Sequence, residues 1–513
     1  MMNRRCFPVS ACCDLSWCAL MLGWFFSASA VADVRLPNIF SDHMVLQRDQ
    51  PLKIWGQADA DEEVQVRIGQ QQHTTVADAE GNWTVTLQPL TLGDPLTLQV
   101  RGKNTITLDD ILVGEVWVCS GQSNMAWTVG RSQDVELEVL AANYPNVRTI
   151  NFPRVGRQQP VWSHEDCGWI KCSPETVREF SAVGYFFGRQ LHQSLNVPIG
   201  LINNSWGGAA AEAFLPVEAL QDAPELFGPL LKRWEALAAT SAELRERDDL
   251  TDNQQEELKA INTRLAGQQR PANIYHGVLA SHRGYGIRGA IWYQGESNAG
   301  RAYQYRELFP RLISHWRNVW GQGDFPFYWV QLADFRSEAS EPGESSWAEL
   351  REAQTMVLDR LPNTGQAVII DRGEARDIHP RDKYTVGRRL ARIALARDYG
   401  FDLHFQSPRY QSMERDGKRL ILSFDHVGDG WRAFDVPEPV GFSIAGEDRQ
   451  FHWAMAKILP DRRIAVSSQL VPDPVAVRYG WAENPVVNLY NQHDLPLTPF
   501  RTDDWPGITQ DER

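Results

Sequence analysis

Short apolar runs separated by turns dominate the chain from residue 33 to about residue 112. They lie at 52–55, 64–68, 83–87 and 96–100. Between two of them, residues 78–82 have the turn composition Asp-Ala-Glu-Gly-Asn. Short strands bounded by such turns are typical of antiparallel sheets. The pattern predicts an N-terminal β domain over residues 33–112.

The pattern changes over residues 113–399. Nearly continuous apolar segments, each followed by small polar residues, lie at 111–119, 199–202, 289–293, 327–332 and 367–370. Helical stretches separate them, including 180–195 and 302–319. Buried parallel strands have such continuous apolar runs, so the alternation predicts an open parallel sheet with helices on both faces. Ligands bind at the carboxyl ends of the strands in such sheets.

Two regions depart from this alternation. Residues 217–270 are helical in pattern and rich in charge, which predicts a solvated helical insertion, with a lid over the site as the alternative. After residue 400 short β runs return and predict a C-terminal β region over residues 400–513. This region either stands alone or packs with the N-terminal β domain as two halves of one sandwich.

The net charge and the N-terminal segment indicate which partners are disfavoured and in which compartment the protein is expected. The chain has 513 residues and a net charge of −14, which disfavours nucleic acid or an anionic bilayer as its main partner. Arg4 and Arg5 precede an apolar stretch at 18–26 and small residues that end at Ala32, the plan of a signal peptide over residues 1–32. We therefore expect an exported protein, periplasmic or secreted. Since no other apolar run reaches about 18 residues, we expect no membrane insertion.

Three of the seven cysteines follow residue 32. Cys167 and Cys172 are close enough to form a small disulfide loop in an oxidising compartment, whereas Cys119 ends an apolar run and is expected as a buried thiol. No Cys/His cluster has zinc-ligand spacing.

The first candidate for chemistry is Ser123, which follows the first strand of the core. It should lie at the carboxyl end of that strand and the start of a helix, where N–H groups can stabilise an oxyanion. A serine that only caps the helix is the alternative. Met125 stands where the Gly-x-Ser-x-Gly elbow has glycine, which disfavours an ordinary α/β-hydrolase.

The second candidate is the segment Asp377-Ile-His379-Pro380. Pro380 suits the first turn of the following helix, which would place His379 just before the positive end of that helix and favour neutral imidazole, the form a general base needs. Either the carboxylate or the backbone carbonyl of Asp377 could reach His379 Nδ1. Two further turns, Gly207-Gly208 and 294–298, offer backbone N–H groups and amide side chains as oxyanion donors.

These segments together resemble a known family. Gly-Gln-Ser-Asn-Met at 121–125, Ser-Trp-Gly-Gly at 205–208, Trp-Tyr-Gln-Gly-Glu-Ser-Asn at 292–298 and Asp-Ile-His-Pro at 377–380 are similar to blocks of the sialate O-acetylesterase family within the SGNH hydrolases. The segments 36–47, 477–485 and 499–503 resemble it as well. The likeness covers nearly all of the chain after residue 32.

The resemblance implies an SGNH-like α/β fold and a serine esterase that removes acetyl groups from a carbohydrate, without a metal or organic cofactor. It assigns Ser123 as nucleophile, His379 as general base and Asp377 as its partner. Gln122, Gly207, Gly208, Gln294, Glu296 and Asn298 are assigned to the oxyanion hole or substrate binding. Arg376 stands where the superfamily pattern Asp-x-x-His has Asp, so a Ser–His dyad oriented by a backbone carbonyl is an alternative.

Sialate and acetylated plant polysaccharide, xylan or xyloglucan, are alternative substrates. Intact candidate residues argue against a non-catalytic carbohydrate-binding protein. The lack of a long apolar segment for an acyl channel argues against a lipase or thioesterase.

Overall fold

The computed structural model describes residues 33–513, so the predicted signal peptide lies outside the described residues. The N-terminal strands are β1 (Val45–Gln47), β2 (Leu52–Gln57), β3 (Glu63–Ile68), β4 (Gln71–Val76), β5 (Asn82–Leu87) and β6 (Leu96–Arg101). β2 pairs with β5, and β3 with β4 and β6, all antiparallel. Buried and exposed positions alternate along β5, so one face of this sheet is exposed to solvent. The antiparallel pairing predicted from the sequence is confirmed.

The long strand β7 (Thr105–Gly121) joins this region to the central sheet. Its first half pairs antiparallel with β6 and alternates in exposure. From Ile111 onward every residue is buried, and parallel strands pair with both edges of β7 from Trp117. The predicted domain limit at residue 112 thus falls inside one strand, and the domain division stays a prediction.

The remaining strands of the central sheet are β8 (Tyr144–Asn151), β9 (Trp169–Cys172), β10 (Ile199–Asn203), β11 (Gly289–Tyr293), β12 (Phe327–Val330) and β13 (Thr364–Ala367). Their order is β13-β12-β11-β7-β10-β8-β9. All of these pairs are parallel except β8 with β9. The prediction of a wholly parallel sheet is therefore wrong at this edge. The chain between β8 and β9 forms no crossover helix, so β9 returns antiparallel.

Ten α-helices accompany these strands within residues 33–513. They are α1 (Ser123–Ala126), α2 (Val135–Ala141), α3 (Ala182–Leu195), α4 (Glu218–Gln221), α5 (Pro224–Arg245), α6 (Asp252–Leu265), α7 (Asn273–Gly277), α8 (Ala302–Trp320), α9 (Ser346–Arg360) and α10 (Lys383–Arg397). None of these described helices is long and apolar enough to cross a membrane. Residues 217–270 are largely helical, and their role as a lid stays a prediction.

Alternate residues of the central strands face two different helical layers. Trp117, Ile291 and Tyr328 belong to one apolar cluster, with α3 and α10. Their neighbours Val116 and Trp292 belong to the other, with α8 and α9. The prediction of helices on both faces is confirmed.

The C-terminal part forms antiparallel sheets with an apolar cluster of their own. The strands are β14 (Arg409–Asp416), β15 (Arg419–Asp425), β16 (Trp431–Ala433), β17 (Phe442–Ala445), β18 (His452–Trp453), β19 (Met455–Ile458), β20 (Ile464–Ser467), β21 (Ala476–Tyr479), β22 (Leu489–Asn491) and β23 (Phe500–Arg501). The N-terminal β residues, by contrast, share the cluster of α8 and α9. The three cysteines of the described chain are free: Cys119 and Cys172 are buried and Cys167 is half-buried.

Candidate active site

The turn after β7 presents Ser123 at the carboxyl edge of the sheet. Gly121 ends the strand with φ of 128°, and a Cβ at this position would lie 2.2 Å from the carbonyl oxygen of Tyr293 on β11. Only glycine allows this close approach of the two strands. Gln122 then begins the short helix α1 as its N-cap residue, and Ser123 is its first residue, half-buried at the surface of the turn.

Gly207 lies directly beside Ser123. The N–H of Trp206 donates to the carbonyl oxygen of Gly121 (3.1 Å), which holds the 205–208 turn against the end of β7. A Cβ built on Gly207 would lie 3.6 Å from Ser123 Cβ. Within residues 33–513, the backbone N–H groups of Ser123 and Gly207 have no hydrogen-bond acceptor. The next residue, Gly208, has φ of 74° and turns the chain toward Gln268.

His379 lies in the loop before α10. Asp377 Oδ1 accepts from the His379 backbone N–H (2.9 Å) and lies 3.2 Å from His379 Nδ1, so one carboxylate oxygen orients both the loop and the ring. No backbone carbonyl in the described chain bonds this ring. The sequence-based expectation that Pro380 opens the helix is wrong. α10 starts at Lys383 because Asp382 is its N-cap and accepts from Thr385 N.

Two contacts bring the histidine loop to the serine turn. Asn124, the residue after Ser123, donates through Nδ2 to the carbonyl oxygen of Ile378, the residue before His379 (3.0 Å). The Trp127 ring stacks on the His379 ring, with centroids 4.7 Å apart and planes 14° apart. Ser123 Oγ and His379 do not hydrogen-bond in this state, and such bonds are often long until substrate binds.

The chain resembles known acetylesterases over most of its length. A protein-family model described as "Carbohydrate esterase, sialic acid-specific acetylesterase" matches residues 265–395, which include the 294–298 turn and His379. The crystal structure of a carbohydrate acetylesterase from Xanthomonas citri is 37% identical, with a TM-score of 0.79, over 92% of this chain and all of that one. The chain belongs to this family of carbohydrate esterases.

Two mammalian relatives agree. The sialate O-acetylesterase of Mus musculus is 29% identical over 92% of this chain and 95% of its own length. That of Homo sapiens is 29% identical over 93% and 95%. The predicted family and the predicted class of enzyme, a carboxylic ester hydrolase acting on carbohydrate O-acetyl groups, are confirmed.

The 294–298 turn of the esterase supports the site from behind. Gln294 is fully buried and donates through Nε2 to Ala209 O (3.1 Å) and Asn298 Oδ1 (2.6 Å). Asn298 Nδ2 donates to Glu212 Oε2 (2.8 Å). The Gln294 amide nitrogen thus has two acceptors and the Asn298 amide nitrogen has one, and the two side chains brace the loop that carries Gly207. The free backbone donors beside Ser123 are the N–H groups of Ser123 and Gly207.

Gln122 has a similar supporting role. Its Oε1 accepts from the N–H groups of Gly295 (3.4 Å) and Ser297 (3.2 Å), and its side chain is buried. Gln122 therefore fastens the 294–298 turn to the serine turn. Glu296, in the same turn, is half-buried, and its Oε1 accepts from Asn124 Nδ2 (2.6 Å).

The electrostatics of the esterase favour a neutral His379. Burial lowers the pKa of His379 below its usual value, Asp377 opposes the change, and the positive charges of Lys383 and Arg131 add to it. Burial and side-chain charge therefore favour the neutral ring, and α10 begins four residues after His379 rather than directly after it, as the sequence predicted. In the described residues no group of three or more His, Cys, Asp or Glu side chains could hold a metal ion.

Sequence reasoning missed Trp127, Asn124 and Lys383. Trp127 covers one face of the His379 ring, and Lys383 Nζ lies 5.9 Å from the centre of the Trp127 ring. Lys383 is fully buried and donates to Asn124 Oδ1 (2.5 Å). The one sequence signal was a lysine at the start of an amphipathic helix, where an acidic residue is favoured.

Proposed function

We propose that this protein is an exported serine esterase that removes O-acetyl groups from sialic acid through an acetyl-enzyme on Ser123. The observation that carries the serine mechanism is the pair of free N–H groups, on Ser123 and Gly207, beside the Ser123 side chain. Two preorganised donors at one point stabilise the oxyanion of a tetrahedral intermediate. A serine that only caps a helix would not explain them, and its side chain caps nothing here.

In the proposed reaction, His379 accepts the Ser123 proton as Oγ attacks the acetyl carbonyl carbon. The carbonyl oxygen becomes an oxyanion that accepts from the N–H groups of Ser123 and Gly207. When the intermediate collapses, the C–O bond to the sugar breaks and His379 returns its proton to the sugar oxygen. Water, deprotonated by His379, then attacks the acetyl-enzyme and releases acetate. Asp377 keeps the imidazole oriented and stabilises its cationic form.

The choice of sialic acid is supported by a cation at the rim of the site. The Arg131 side chain is exposed, its Cζ lies 5.5 Å from the centre of the Trp127 ring, and within residues 33–513 it has no carboxylate partner. Trp127 in turn stacks on His379. A guanidinium free to bind a carboxylate distinguishes an acidic sugar from neutral xylan or xyloglucan.

The wider organisation fits the same proposal. An SGNH-like core would comprise the sheet and helices of residues 113–399, flanked by β regions at 33–112 and 400–513. Residues 1–32 would direct export to the periplasm or outside the cell and be removed. The helical pair α5 and α6 within 217–270 is then an insertion on this core.

Acetate release by the purified protein tests the function. Release from O-acetylated sialic acid, lost in Ser123→Ala while the protein still folds, is expected. Release only from acetylated xylan or xyloglucan would keep the serine mechanism and replace the substrate. Activity retained by Ser123→Ala would refute the nucleophile.

The variant Arg131→Gln tests separately whether Arg131 binds the carboxylate of an acidic sugar. We expect KM for O-acetylated sialic acid to rise about 10-fold, since one charged hydrogen bond is lost, with no change in KM for p-nitrophenyl acetate. Arg381→Gln is the matched control, because Arg381 is an exposed arginine of the neighbouring loop that already pairs with Glu374 (3.3 Å). Equal effects of both variants would contradict a specific carboxylate contact.

A further inference from the structure

Three polar side chains, two of them buried and the third half-buried with a buried carboxylate oxygen, form a chain of contacts behind Ser123 and His379. Lys383 Nζ donates to Asn124 Oδ1 (2.5 Å), and Asn124 Nδ2 donates to Glu296 Oε1 (2.6 Å). Asn124 therefore bridges a cationic and an acidic side chain. We call Lys383, Asn124 and Glu296 the buried cluster.

The buried cluster is poorly arranged for stability. Glu296 Oε2 is buried without a hydrogen-bond partner in the described chain. The Lys383 ammonium has Asn124 as its one hydrogen-bond acceptor there and otherwise faces the rings of Tyr293 (5.3 Å) and Trp127 (5.9 Å). A buried charge that is incompletely paired is costly, and apolar replacements of such pairs are often neutral or stabilising. Stability alone does not account for these residues.

The position of the buried cluster links it to the reaction. Asn124 follows the nucleophile, and its Nδ2 also bonds the Ile378 carbonyl oxygen, next to His379. Trp127 contacts both groups, because its ring stacks on the His379 ring and its centre lies 5.9 Å from Lys383 Nζ. The three loops that carry Ser123, Glu296 and His379 thus meet at one asparagine side chain.

We propose that Lys383, Asn124 and Glu296 are positioning residues that fix the His379 loop against the Ser123 turn and hold a positive charge behind the general base. The proposal rests on the proposed serine mechanism. It predicts two separable effects: the geometry controls kcat, and the charge controls the pH at which His379 becomes a base.

The direction of the charge effect follows from the surroundings. The charged groups that act on His379 are Asp377, Lys383 and Arg131. Those that act on Lys383 are Glu296, Glu374, Asp377 and Asp382. Burial lowers the pKa of Lys383 to about 7, so it is cationic in the acidic range in which His379 titrates. Removing this cation should raise the pKa of His379 and move the acid limb of kcat/KM to higher pH.

The test compares Lys383→Met, which keeps length without charge, with the wild type on p-nitrophenyl acetate from pH 4 to 9. We expect kcat to fall about 10- to 100-fold because the reacting groups are displaced, with little change in KM. The acid limb should move to higher pH, and the melting temperature should stay equal or rise. Glu296→Gln, a second variant of nearly equal shape, should also lower kcat without lowering the melting temperature. Lys418→Met, on an exposed turn of the C-terminal region, is the control for the substitution itself.

The proposal would be overturned if activity and melting temperature fell together while the acid limb of the kcat/KM profile stayed at the same pH. These residues would then have a merely structural role. Unchanged kcat in both variants would overturn it as well. NMR titration of His379 in ¹³C-histidine-labelled protein, assigned with His379→Ala, measures the same pKa shift without turnover. If the pKa of His379 shifts in Lys383→Met while Ser123→Ala stays active, the charge effect stands and the serine mechanism fails. If the pKa of His379 does not shift in Lys383→Met, the charge effect is refuted.

Discussion

Two glutamates near opposite ends of the central strands, the buried Glu115 and the half-buried Glu296, have very different surroundings. Glu115, at the amino-terminal edge, is contacted by Arg48 Nε (2.5 Å), Arg288 Nε (2.8 Å), Gln47 Nε2 (3.1 Å) and Tyr399 OH (3.1 Å). Glu296, at the site edge, has one oxygen bonded to Asn124 and the other unpartnered. Burial would raise the pKa of Glu115, but Arg288 and Arg48 reverse this and hold it low. Burial raises the pKa of Glu296.

This difference in hydrogen bonding distinguishes Glu115, a charge that stabilises the fold, from Glu296, a charge beside the candidate active site. Glu115 joins β7 to the segments that carry Arg48 and Arg288 and has its hydrogen bonds satisfied, as buried polar groups in stable cores do. Glu296 is left incompletely paired beside the residues proposed to react. Incompletely paired charges with shifted pKa values concentrate at functional sites.

The largest effect on stability should come from breaking the ion pairs of Glu115 with Arg48 and Arg288. Glu115→Gln leaves two guanidinium groups without their counter-charge. Because both arginines are partly exposed, we expect a loss near the lower end for a broken buried pair, about 3 kcal/mol of unfolding free energy. Urea denaturation measures it, with Glu165→Gln, an exposed glutamate, as the control. A loss under about 1 kcal/mol, or a fall in kcat of the folded enzyme, would erase the contrast with Glu296.

The sequence predicted more of the fold than of these contacts. Continuous apolar runs such as 111–119 identify buried strands, and the turns after them locate Ser123 and Gly207, because chain order fixes both. The antiparallel edge β9 was missed because the direction of a short strand depends on its connection, not on its own residues. The partners of Gln294 and Lys383 come from segments 85 and 259 residues away, and one-dimensional spacing carries no information on them.

An intermediate effect is expected at a third carboxylate. Asp377 orients His379 but is about half exposed, so water can partly replace it. We expect Asp377→Ala to lower kcat about 10-fold, well short of the loss in His379→Ala, which removes the proposed general base and should cost about 10²- to 10⁴-fold. Steady-state kinetics on p-nitrophenyl acetate compares the two. Equal losses would mean that Asp377 is as indispensable as in a fully buried triad.

The smallest effect concerns the pH dependence of stability, and here the two glutamates should act in opposite directions. Glu115, with its pKa held below the ordinary 4.5, stabilises the fold above that pH, and this stabilisation is lost as the pH falls through the lowered pKa. Glu296, with its pKa raised, binds its proton more tightly in the folded state, so the fold loses stability as the pH rises above 4.5 toward that raised pKa.

Unfolding free energies of the two variants between pH 3 and 8 check these signs. Glu115→Gln should flatten the acid decline of the wild type, and Glu296→Gln should remove a decline on the alkaline side of pH 4.5. A Glu296→Gln protein that is less stable than the wild type at pH 7 would mean that the ionised carboxylate is paired after all. The contrast between the structural and the site glutamate would then fail, because both would be stabilising charges.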